Sequence, residues 1–147
     1  FIDGDMTQLP SALTTHYIDR AKFGKQKYTK ARKFFSGPCM KLIPRDYVRE
    51  YKFDTSLSNG EDCLFMFMIS KSFKYVDFAS TQAIYYRRYR ENSAVMQTRK
   101  RGDRIRNNIN CIIEYTKIYF SGRYNTLFYF SRIAAELRCI CYAILKR

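Results

Sequence analysis

The sequence predicts an α/β domain followed by two C-terminal helices. Three observations carry that prediction. Phe1-Ile2-Asp3, Lys74 to Phe78 and Ala83 to Tyr89 are short stretches with the aromatic and β-branched character of strands. Residues 61–73 are apolar nearly all round after two leading acids, the pattern of a buried helix. Two longer segments, about residues 99–120 and 124–146, read as helices parted at Ser121-Gly122. At 147 residues the chain has the size of one domain, and such a domain buries about two thirds of its unfolded surface. Its 46% hydrophobic content, with thirteen Tyr and twelve Phe, excludes a disordered chain.

Taken in order, FIDGDM reads as a strand end entering a turn, and Pro10 can open a helix. KFGKQKYTKARK, residues 22–33, is dense in basic side chains without apolar periodicity and reads as a basic loop. A Gly-Pro turn follows in FFSGPC, then a short helix between Met40 and Tyr51 entered through Pro44, then loop from Phe53 to Asn59. Residues 1–96 and 97–147 thus divide into a mixed part and a basic helical extension.

The charge is lopsided. The 27 Lys and Arg against 13 acids give a net +14, and fourteen bases against four acids lie from Arg87 onward. Such a field attracts phosphate, whether on nucleic acid, lipid head groups or a nucleotide-diphosphate. Five cysteines, Cys39, Cys63, Cys111, Cys139 and Cys141, lack CxxC spacing, and His16 is the single histidine. A disulfide framework or zinc site is not expected, and a reducing, cytoplasmic setting is. Neither a signal peptide nor a long uncharged apolar run is visible; residues 124–145 are interrupted by Arg132, Glu136 and Arg138.

Three constellations can carry chemistry. Gly60-Glu61-Asp62 sets two carboxylates at a helix start before an apolar run, where burial would raise a carboxylate's pKa as a general base requires; the plainer alternative is helix punctuation. Asp3-Gly4-Asp5 can hold a divalent ion, or be a solvated turn. YYRRYRENSAV places Arg88 and Arg90 on one strand face beside Ser93, able to clamp a phosphate or to protect an edge strand.

Together these segments resemble the family 2 glycosyltransferases, inverting enzymes of the GT-A fold. FIDGDMTQLPSAL is similar to that family's FLDSDDxxEPxAL, SGPCMKLIPRDYV to SGPCNKLYRRELL, Gly60-Glu61-Asp62 to its GED, and YYRRYRENSAV to YYYRIRPNSIM. The resemblance implies an incomplete GT-A domain, a mixed sheet with flanking helices, that transfers a sugar with inversion from a nucleotide-sugar donor to a sugar or lipid-linked acceptor. Asp62 would be the base, and Glu61 would orient the acceptor or the base. Gly37, Pro38, Cys39, Gly60, Arg88, Arg90 and Ser93 would bind substrate, and Asp3 and Asp5 would hold Mg²⁺ or Mn²⁺. The family's opening SVIIPxYN strand and nucleotide-binding half are missing, so the chain is expected to be the acceptor-side part of a longer enzyme, inactive alone. The basic helices would pack on the core or rest on an anionic inner membrane face. The alternative is a basic nucleic-acid-binding or interaction module without catalytic activity.

Overall fold

A computed structural model describes residues 24–80 and 100–145. In chain order it contains strand β1 (Gln26–Lys27), a 3₁₀ turn at Arg32–Phe34, helix α1 (Arg45–Val48), helix α2 (Glu61–Ile69) continued by a 3₁₀ turn at Ser70–Ser72, strand β2 (Tyr75–Val76), and helices α3 (Arg101–Ser121) and α4 (Thr126–Leu145).

The expected mixed sheet with flanking helices is corrected by these elements. Helix accounts for 58% of the described residues, and their sheet is one antiparallel pair in which Gln26 faces Val76 and Lys27 faces Tyr75. The segment Lys74 to Phe78 contributes only two paired residues. It stops at Val76 because the Asp77 carboxylate accepts the Phe78 backbone N–H at 2.9 Å, a local bond that competes with a sheet ladder. Its partner comes from the segment read as a basic loop, where Gln26 and Ala31 are buried. The strand candidates near Phe1 and at Ala83 to Tyr89 lie outside the described residues.

Helix α2 is the centre of the molecule. Gly60 precedes it at φ +90°, a left-handed conformation that side chains other than glycine's rarely adopt. The Gly60 carbonyl accepts the first helical bond from Leu64 N–H at 2.9 Å, and Glu61 and Asp62 occupy the positive end of the helix dipole. Leu64, Phe65, Met66, Phe67 and Ile69 are buried, as expected of a helix apolar on every side.

Around α2 the core is aromatic. Phe67 meets Tyr115 edge-on at 5.3 Å, stacks on Tyr124 at 5.0 Å, and touches Phe128 at 5.5 Å, which ties α2 to both long helices. Phe35 extends the cluster, 6.0 Å from Phe128 and 5.2 Å from Phe73. Such ring pairs contribute beyond their buried area, roughly 0.5–1.5 kcal/mol each.

Helices α3 and α4 form a hairpin turning at Gly122, near the expected break at Ser121-Gly122. Thr116 and Tyr129 share a hydroxyl bond at 3.0 Å, as do Tyr119 and Thr126. The Asn125 side chain accepts the Phe128 N–H at 2.9 Å and so caps the start of α4. Among the described residues no helix is long and apolar enough to cross a membrane.

Candidate functional site

The acidic pair stands where three sequence-distant segments meet. Cys63 donates its S–H to the Ser36 carbonyl at 2.8 Å, which fixes the SGPC turn against the first turn of α2. A Cβ built on Gly37 would lie 3.4 Å from Asp62 Oδ2, so the carboxylate rests against the bare backbone of that turn. From the other side, Asn107 of α3 accepts the Ser58 backbone N–H at 3.2 Å and the Ser58 hydroxyl at 2.9 Å. Its side-chain amide donates to the Asn59 carbonyl at 2.8 Å. The turn that aims Glu61 and Asp62 is therefore held by a residue of the C-terminal hairpin.

A cleft of about 230 Å³ opens at this junction, lined by Ser36, Asn59, Gly60, Glu61, Asp62, Cys63, Asn108, Glu136 and Cys139. Three carboxylates face it. The N-cap position of α2 is Gly60, which has no side chain to cap the helix. Glu61 Oε2 is buried without a hydrogen-bond partner, a costly state for a carboxylate oxygen.

The electrostatics favour protons. Burial pushes the Asp62 carboxyl above its ordinary range, Glu61 pushes it further, and Lys41 opposes both. Glu136 is raised by burial and pulled back by Arg132. Burial lowers Lys41, while Cys39, Cys63 and Asp62 act to raise it, and its ammonium donates to the Cys39 carbonyl at 3.0 Å. A carboxylate with raised proton affinity at the wall of an open cleft can take a proton from a hydroxyl bound there.

The structure thus brings together Gly60, Glu61 and Asp62 on the cleft, with Gly37 against Asp62. Pro38 is half-buried and Cys39 exposed, and neither lines the cleft. Arg88, Arg90 and Ser93, and the metal candidates Asp3 and Asp5, lie outside the described residues. Among the described residues no group of three His, Cys, Asp or Glu is arranged to hold a metal ion, and no step below is routed through one.

Six cleft residues were not among the expected site residues: Ser36, Asn59, Cys63, Asn108, Glu136 and Cys139. Glu136 alone left a trace, as the single acid on α4 between Arg132 and Arg138. All five cysteines are free thiols. Burial pushes the Cys111 thiol up to about 12 and raises Cys63 as well. Compared with family models, with curated proteins and with solved structures, the chain matches none.

Proposed function

We propose that the chain supplies the acceptor side of an inverting sugar transfer, with Asp62 as the base. The observation that carries this reading is the Asp62 carboxylate on the cleft wall, its proton affinity raised by burial and by Glu61. The acceptor hydroxyl of a sugar or lipid-linked glycoside gives its proton to Asp62. Its oxygen forms the new bond to the anomeric carbon of a nucleotide-sugar as the bond to the diphosphate breaks, and the diphosphate leaves with that electron pair. Glu61 and Glu136 orient the acceptor's other hydroxyls across the cleft. Gly37, whose bare backbone the Asp62 carboxylate rests against, holds the base at the cleft wall.

The reading also draws support from the segments SGPCMKLIPRDYV and Gly60-Glu61-Asp62, which resemble glycosyltransferase family 2 sequences and here lie in contact through Cys63 and Ser36. The test uses the product of the complete gene, a panel of UDP- and GDP-hexoses, and alkyl glycosides as acceptors, with nucleotide-diphosphate release as the readout. Asp62→Asn is expected to lower turnover by roughly 10²–10⁴-fold, the usual contribution of a general base, while nucleotide-sugar binding and helical content persist. Undiminished turnover in Asp62→Asn overturns the assignment.

A further inference from the structure

The α3–α4 hairpin has a core side and an outer side. Cys111, Tyr115, Phe128 and Ala143 are buried on the first. On the second, α4 exposes Leu127, Phe130, Ala134, Leu137, Cys141 and Ile144, alternately three and four residues apart, which makes one unbroken stripe along the helix. Phe130 is 60% exposed. On α3, Ile109, Ile113 and Phe120 fall about half a turn from Cys111 and Tyr115, and Phe120 is 79% exposed.

The two stripes share one side of the hairpin. The contacts that join the helices, Thr116 to Tyr129 and Tyr119 to Thr126, leave each helix roughly a quarter turn from its exposed stripe. The result is a flat apolar plate turned away from the core, on the face opposite the one that carries α2.

The border of this plate is basic. Among exposed charged residues at its edges and turn, Arg106, Lys117, Arg123 and Arg138 stand against the single acid Asp103, while Arg104, seven residues before Cys111, lies on the core side. Asp103 is paired to Arg106 and half-buried Glu114 to Lys117, each at 2.6 Å, which leaves Arg123 and Arg138 as the net positive charge of the rim. An apolar plate with a cationic rim fits the boundary between acyl chains and anionic head groups. It does not fit a second copy of a chain that carries +14. Duplex nucleic acid would meet the rim but leave the plate in water.

We propose that this outer side is a docking face for an anionic lipid bilayer, with α3 and α4 lying in the interface plane rather than crossing it. The proposal is independent of whether Asp62 moves a proton.

The chain contains no tryptophan, so Phe130→Trp installs a single reporter in the middle of the plate. With phosphatidylglycerol vesicles the indole emission is expected to shift to the blue and to be quenched by brominated acyl chains. Cosedimentation is expected to be on the order of tenfold stronger with phosphatidylglycerol than with phosphatidylcholine vesicles, and to weaken at high salt. Phe130→Gln combined with Leu137→Gln, both at exposed positions, is expected to abolish binding with the helical circular dichroism intact. Leu42→Gln, at an exposed apolar residue outside the hairpin, is expected to leave it unchanged. Equal binding to neutral and anionic vesicles, or none, overturns the proposal. So does a dimer in sedimentation velocity that Leu137→Gln dissolves, or duplex DNA binding that survives the glutamine pair.

Discussion

Gly60 does two jobs at one residue. Its φ of +90° makes the turn into α2, and its missing side chain leaves space for the Cys111 thiol, since a Cβ there would lie 3.0 Å from Sγ. Gly60→Ala is expected to destabilise the fold by about 1–3 kcal/mol through backbone strain, with the thiol contact adding to it, measurable by urea denaturation. Thiol reactivity sorts the five cysteines in the same way. Under native conditions a maleimide is expected to label exposed Cys39, Cys139 and Cys141 within the time that leaves Cys111 untouched, by mass spectrometry. Gly60, Glu61 and Asp62 were legible in the sequence because a turn, a dipole and an apolar run sit side by side. Glu136 was not, since its neighbourhood on the cleft is made by folding, and a lone acid between two arginines reads as a solvated helix position.

At the scale of elements, the helices were legible and the sheet was not. Residues 61–73 carry their apolar pattern locally, and α2 with its 3₁₀ continuation occupies nearly that span. Strand status depends on a distant partner instead. Among the described residues Tyr75 and Val76 pair with Lys27 and Gln26 alone, Tyr75 stays exposed, and Phe78 packs on Phe34. The contact of α3 with the loop before α2 was hidden for a related reason. Asn107 on a helix otherwise reads as a surface amide, yet it is 9% exposed and makes three hydrogen bonds to Ser58 and Asn59. Asn107→Ala is expected to cost about 1–3 kcal/mol by leaving those groups without their partners. Under the proposed function it is also expected to lower turnover, because it displaces the acids.

For the whole molecule, the two raised carboxyls set a pH dependence. Asp62 and Glu136 hold protons more tightly folded than unfolded, so the native state binds more protons as each carboxyl titrates. Stability from these groups is therefore greatest below their unfolded values, 3.8 and 4.5, and is lost as pH rises through the raised folded values. Asp54 runs the other way: its bonds from Ser56 lower its pKa, and its contribution is lost as pH falls. Asp62→Asn and Glu136→Gln are each expected to raise the neutral-pH denaturation midpoint and to flatten its decline between acid and neutral pH. A midpoint lowered at neutral pH by both would contradict the burial cause assigned to them. Carboxylates that weaken the fold they sit in are what a site selected for chemistry rather than for stability would contain.

The grip of Asn107 on the Ser58-Asn59 turn has a consequence for biosynthesis. The acids leave the ribosome well before the asparagine that orients them, so a nascent chain stalled short of α3 holds Glu61 and Asp62 without the strut that aims them. Under the proposed function competence would arrive late and from downstream, and any cut between β2 and α3 that freed the hairpin would remove it while sparing every residue of the acidic turn.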